Sequence, residues 1–349
     1  MDWFESLTGF REAGYDETRA KLAVDGDRLQ SLENGKSYGI GKLELASLND
    51  LRLRVRSNSG LSAPTKISIV VGDIRRLHHQ PENAGALFQV ASQFNLLEMV
   101  SPSVTPEHGV TRYQHDHTQG PACAIACGAA TIYRNYFASV DGRPGQTERR
   151  QFDGLRDVGV ALSQATGHAV ASLWEMKNGY ALYSRAGLDA ISQYFKTLGD
   201  DDLDALRGKL CIGIHRNVEV TDAPGERRPS VSQAFCSALP VAYTSVEPRR
   251  WEPFAPLVLE AAYEATLFAG VLNARQGASN TVLLTQLGGG AFGNRNEWIH
   301  TAMRRALKAV SGFGLDVKLV SYGEPSRTLL DMVQECTNHH ASSTTRPLS

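Results

Sequence analysis

The stretch "NTVLLTQLGGGAFGNRNEWIHTAMRRALKAV", residues 280–310, decides the fold. The apolar run TVLLTQL has the composition of a buried strand. It ends in Gly288, Gly289 and Gly290, and Ala291, Phe292, Gly293 and Asn294 follow before a helical pattern starts at Glu297. A chain that gives up side chains between a strand and a helix lets something come very close to its backbone. In open α/β sheets, ligands bind beyond the carboxyl ends of the strands. Backbone N–H groups at a helix start, with no side chain in the way, favour an anion. Glycine also permits positive φ, so successive amides can curl around an oxygen. Residues 288–293 are therefore read as a phosphate or diphosphate cradle rather than as a tight turn alone. The loop is not a P-loop, since no Gly-Lys-Ser/Thr follows, and it is not the GxGxxG fingerprint.

Outward from this stretch, strand and helix patterns alternate. "TKISIVVGDI" (65–74) is a β-branched run and "GALFQVASQF" (85–94) a second strand. "PACAIACGAATIYRNYF" (121–137) reads as one closely packed helix, with Pro121 suited to its first turn. "KLCIGIHRNVEV" alternates like a strand, whereas "VSQAFCSALPVAY" suits a strand or irregular chain. "APLVLEAAYEATLFAGVLNAR" is a long apolar helix, and "LDVKLVSYG" a last strand. "SYGIGKLEL" reads as an irregular or edge strand, and residues 57–64 as a loop and boundary. The polar tail "TNHHASSTTRPLS" is expected to be disordered. Such alternation argues for an α/β sandwich with a mixed or mostly parallel sheet.

The 349 residues are 42% hydrophobic, enough for a real core, and carry a formal net charge of −1. Neither nucleic acid nor an anionic membrane is expected as a partner. The first twenty residues hold acids and no apolar stretch, so no secretory signal is expected. No segment is expected to span a membrane. Five scattered cysteines read as reduced thiols, which fits a cytoplasmic setting. Cys123 and Cys127, with His115 and His117, could suggest zinc. No CxxC or HExxH spacing supports it, so no metal and no cofactor is expected.

Four polar groups stand where strands or helices end. Asp73 and Ile74 follow the first strand, where an acid either caps a helix or accepts a hydrogen bond from a ligand. Asn95 and Glu98 follow the second. Asp116, in "YQHDHTQGP", precedes a helix start, where an anion is favoured. Cys236 and Ser237 lack a G-x-S-x-G elbow and are read as wall residues near the ligand. Tyr133, Arg134, Asn135 and Tyr136 suit either the cleft or the core.

The order "VVGDI", "VASQFN", a small-residue helix, "GGGAFG" and "DVKLVSYG" resembles the macrodomain family over roughly residues 64–325. The family's glycine run after the asparagine is replaced here by "LLEMVSPSVTPEHGVTRYQHDHTQGP". In this the chain is similar to the poly(ADP-ribose) glycohydrolase side of the superfamily and, more distantly, to the MavL-type arginine ADP-ribosyl hydrolases. The resemblance implies a three-layer α/β/α sandwich with a mixed sheet. It divides the chain into an N-terminal extension packing on the core (1–63), an ADP-ribose-binding domain (64–325) with a helical insertion at about 140–205, and a C-terminal helix and tail (326–349). It implies ADP-ribose and ADP-ribosylated protein as partners. Asp73 and Ile74 would meet the adenine, Asn95 the distal ribose, and Gly288, Gly289, Gly290, Ala291, Gly293 and Asn294 the diphosphate, with Phe292 beside the distal ribose. Cleaving an ADP-ribosyl bond passes through an oxocarbenium-like state that a carboxylate stabilises or supplies with water. Asp116, Glu98 and Asn95 are the candidate catalytic residues, with Asp116 preferred over Glu98 as the acid, and arginine is the first acceptor expected.

Overall fold

The computed structural model describes residues 1–57 and 63–343, with the side chains of 336–343 left aside. Its centre is a seven-stranded sheet. In chain order the strands are β1 (Lys42–Ser47), β2 (Lys66–Val71), β3 (Leu87–Ala91), β4 (Cys211–Glu219), β5 (Ser230–Cys236), β6 (Thr281–Leu284) and β7 (Asp316–Ser321). They lie in the order β1-β4-β5-β3-β6-β7-β2. The pairs from β5 to β2 are parallel, and β4 runs antiparallel to both β1 and β5, so the sheet is mixed.

Both faces of the sheet are covered. Along β6, Val282 and Leu284 point into one apolar cluster and Leu283 into another. β3 and β5 divide in the same way, with Leu87 and Ala234 on one face, Phe88 and Phe235 on the other. The first face carries the helices Leu48–Arg56, Ala255–Arg275 and Asn296–Ala309, and the second Ile74–His79, Gln119–Ala126 and Gly128–Tyr136. The architecture is thus a three-layer α/β/α sandwich. Its central strands read as unbroken apolar runs because neither face meets water. The helix Ala255–Arg275 is long and apolar enough to cross a membrane by length and composition, contrary to the sequence reading. Yet 89% of its apolar window is buried inside the protein, where it forms the middle of one layer.

Several sequence expectations change. The N-terminal segment does more than pack on the core. β1 is the edge of the main sheet, and Leu48, Leu51 and Val55 lie in its apolar cluster. The boundary expected at 57–64 falls largely on residues 58–62, outside the described residues. The single helix at 121–137 is two, broken at Cys127 (φ −112°, ψ 55°). The insertion is not purely helical, since it holds a hairpin of Trp174–Lys177 and Tyr180–Tyr183. The C-terminal helix runs from Arg327 to Ser343, so the residues 337–343 expected to be disordered are helical, and 344–349 lie outside the described residues.

Candidate active site

A cleft of about 730 Å³, counting its open mouth, lies beyond the carboxyl ends of β3 and β6. One wall is Thr285–Gly288 with Gly290, Ala291 and Phe292. The opposite wall is Ala91–Gln93, Glu98–Val100 and Asp116 with Thr118–Pro121, and Tyr180 and Tyr243 close the side.

The glycine wall is held from outside the cleft. Tyr263, on the long helix, donates to Thr285 O (2.7 Å) and accepts from Leu287 N (2.8 Å). Gly288 and Gly293 take φ of +75° and +72°, which only glycine adopts easily. Buried Asn294 ties the loop shut, donating from Nδ2 to Leu239 O (2.9 Å) and from its backbone N to Gly288 O (2.9 Å). Among the described residues, the N–H groups of Gly288, Gly290, Ala291 and Phe292 meet no backbone acceptor, and all four residues line the cleft. Gly289 lies outside it, its N–H spent on Gln286 O at 3.2 Å. Gly293 and Asn294 likewise close the loop rather than line the cleft.

The other wall is a compact knot after β3. Gln93 Oε1 accepts from Met99 N (2.6 Å), and Leu96 sits at φ +66°, a costly conformation for a branched side chain. Arg134, wholly buried, holds that turn by donating from Nε to Leu96 O (3.2 Å) while its guanidinium lies 3.9 Å from the Phe235 ring centre. The knot presents Glu98. Its backbone N donates to Tyr113 Oη (3.0 Å), its side chain is buried, and its Oε1 has no hydrogen-bond partner among the described residues. Burial pushes the Glu98 carboxyl well above its ordinary value. The buried Arg134 cation opposes that rise and the Asp116 carboxylate adds to it. Asp116 is half-buried and accepts from the backbone and hydroxyl of Thr118, at 2.9 and 2.7 Å.

The structure therefore brings Glu98, Asp116, Gly288, Gly290, Ala291 and Phe292 around one space, and leaves other expected site residues outside it. Asp73 caps the helix Ile74–His79, accepting from Arg76 N at 3.1 Å, because that amide has no partner within the helix. Ile74 is buried beneath the sheet. Asn95 is fully buried and spends its amide inside the fold, donating to Gln151 Oε1 (2.8 Å) and accepting from Leu97 N (3.1 Å). Cys236 and Ser237 are buried and do not line the cleft, whereas Ala238 does, and Arg134, Asn135 and Tyr136 are core. Cys123 and Cys127 are wholly buried while His115 and His117 are exposed. Among the described residues no three His, Cys, Asp or Glu side chains are placed to hold a metal ion.

Three contributors escaped the sequence reading. Gln119 completes β3 as a neighbouring strand would, accepting from Ala91 N and donating to Gln89 O, both at 2.8 Å. Gly120 lets the helix approach, since a Cβ there would stand 2.0 Å from Ala91 O and 2.2 Å from Glu98 Oε2. Tyr180 reaches the cleft on the insertion hairpin. Its ring lies 5.5 Å from Phe292 and 5.0 Å from Tyr243, and its hydroxyl donates to Met99 O at 2.5 Å. The signal for Tyr180 was present. Asn178-Gly179 between "WEMK" and "YALY" is a two-residue hairpin turn, and both residues have positive φ.

No protein-family model and no curated protein matches the sequence. Among solved structures the chain is similar to bacterial poly(ADP-ribose) glycohydrolases. One, from Thermomonospora curvata, is 12% identical with a TM-score of 0.44, covering 90% of this chain and 93% of that one. A mutant of the enzyme from Deinococcus radiodurans, in complex with ADP-ribose, is 12% identical with a TM-score of 0.46, covering 85% and 95%. With identities this low and TM-scores below 0.5, no activity passes from these proteins to this chain, and its function is argued from the cleft.

Proposed function

We propose that this chain hydrolyses ADP-ribosyl glycosidic bonds and releases ADP-ribose from modified protein. One observation carries the reading: Glu98, a buried carboxyl with an unpartnered oxygen, lines the same cleft as backbone N–H groups that meet no backbone acceptor among the described residues. The N–H groups of Gly288, Gly290, Ala291 and Phe292 suit a diphosphate. Glu98, whose carboxyl burial pushes toward the neutral form, is the general acid that protonates the leaving group. Asp116 stabilises the positive charge that develops at the anomeric carbon, or directs water to it. This exchanges the expected ranking, making Glu98 the proton donor and Asp116 its companion. Nothing in this scheme requires a metal or a redox cofactor.

Arginine is the acceptor we favour. Tyr180, Tyr243 and Phe292 lie within 5.0–5.5 Å of one another beside the two carboxyls, and aromatic faces with nearby acids suit a guanidinium. The test is to incubate the protein with proteins ADP-ribosylated on arginine, on acidic residues and on serine, and with poly(ADP-ribose), and to measure free ADP-ribose. Release from the arginine substrate above the others supports the reading, and preference for another arm moves the acceptor. Release from none, with ADP-ribose still raising the melting temperature, makes the chain a reader of ADP-ribose instead.

A further inference from the structure

We infer that Glu12, in the N-terminal segment, is a positioning residue that sets both cleft carboxyls through one short turn; this rests on the hydrolase reading above. Residues 100–118 are a long connection with no strand and no α-helix, only the short 3₁₀ turns Pro106–His108 and Thr111–His115. Such a connection holds a catalytic group still only if something outside it supplies the rigidity. Here the support comes from about a hundred residues earlier in the chain. The Glu12 carboxylate accepts from Val110 N (2.8 Å), from Thr111 N (2.7 Å) and from the Tyr136 hydroxyl (2.7 Å). Trp3 adds a second tie, donating from Nε1 to Thr111 O at 3.1 Å. The fit is close enough to exclude a side chain at Gly109. That residue has φ +79°, and a Cβ there would lie 2.4 Å from the Glu12 carboxyl carbon.

The fastened amides open the 3₁₀ turn Thr111–His115. Two things hang from that turn. Tyr113, within it, accepts the backbone N–H of Glu98, and Asp116 is the residue that ends it. One carboxylate outside the cleft thus fixes the height of Tyr113, hence Glu98, and the start of the Asp116 loop. Glu12 itself does not line the cleft. Its charge suits three donors at once, and hydrogen bonds to a charged acceptor are about twice as strong as neutral ones.

Glu12→Gln tests this, because a glutamine offers one acceptor oxygen and turns an NH2 group toward N–H donors. Turnover at saturating substrate should fall on the order of tenfold to a hundredfold, the scale of a misplaced catalytic group. Affinity for ADP-ribose should stay within about threefold, since the glycine wall is untouched. Amide exchange at Val110, Thr111 and Glu98 should quicken together. Trp3→Phe, which removes one tie and keeps the packing, should show the same pattern more weakly, and serves if Glu12→Gln does not fold. Parental turnover in a folded Glu12→Gln, or exchange that quickens at Val110 and Thr111 but not at Glu98, overturns the proposal. If the parent protein releases no ADP-ribose, the hydrolase reading fails by itself, and exchange at Glu98 still decides whether Glu12 sets that residue.

Discussion

The glycine wall of the cleft follows directly from β6 and spans residues 285–292, whereas the carboxylate side takes Glu98 from the turn after β3, Asp116 from a later loop and Gly120 from a helix start, with Tyr180 closing it from the insertion. The first wall offers backbone, and few side chains could spoil it. The second offers side chains whose protonation and aim depend on burial and on neighbours supplied from elsewhere. The difference teaches where each kind of chemistry can sit. Binding an anion needs only exposed amides, which a local loop provides. Holding a carboxylic acid neutral needs a dry setting, which requires several segments packed together.

The largest effect that could break this contrast is on Glu98. Glu98→Gln keeps the size and removes the proton donor. Release of ADP-ribose should drop by about 10² to 10⁴, the usual scale for a positioned acid, while ADP-ribose binds nearly as before. The pH profile supplies the sign. The rate should be highest while Glu98 is protonated and should fall as pH rises through its raised value, and that limb should vanish in Glu98→Gln. Stability follows the same direction. The part due to neutral Glu98 is complete below the unfolded carboxyl's ordinary value and is lost as pH rises through the folded one. If Asp116→Ala abolishes release and Glu98→Gln does not, the roles of the two acids are reversed.

Next is Gly120→Ala. The added methyl meets a backbone oxygen and the Glu98 carboxyl, so the helix start or the acid must move. Overpacking of this kind costs about 1–3 kcal/mol. A thermal melt reads the stability loss, and a rate assay on the folded fraction reads the displaced acid. An unaltered rate would mean that the position of Glu98 is not critical.

How much of this was legible differs between the walls for the same reason. The glycine loop could be read because its signal, strand then glycines then helix, lies within one short stretch. The layered sandwich could be read from the alternation of patterns. The edge strand β1 was legible as a strand in "SYGIGKLEL", but nothing local showed that it joins the main sheet, antiparallel to β4. Asn95 looked like a ligand contact by its place after a strand. Nothing local announced that Gln151, on the insertion, would take its amide. Gly120 likewise looked like part of a helix start, and its meaning lies in Glu98, which reaches it through the fold.

Gly290→Val sharpens the contrast from the glycine side. No atom stands within 4 Å of a Cβ built there, so the variant should fold with little change in melting temperature. The residue lines the cleft, however, and a valine would shield the amides beside it. Affinity for ADP-ribose should fall by at least about tenfold, near 1.4 kcal/mol, in calorimetry. Full affinity would return the glycines to the role of a turn.

The smallest expected effect falls on Asp73, where the resemblance to macrodomains and the geometry point in different directions. The resemblance places an adenine contact there. In this fold the Asp73 carboxylate caps a six-residue helix and does not line the cleft. A cap of this kind is worth about 1 kcal/mol, so Asp73→Ala should lower stability by roughly that amount. Asp73→Asn keeps the cap, because an amide oxygen accepts from Arg76 N as well as a carboxylate does, and its melting temperature should match the parent. The two variants separate the roles by affinity. If capping is the whole role, ADP-ribose binds both folded variants as it binds the parent. If Asp73 also accepts from the adenine amine, both lose affinity, and Asp73→Asn does so without any loss of stability. That second outcome would extend the ligand's path beyond the cleft, toward the ends of β2 and β7.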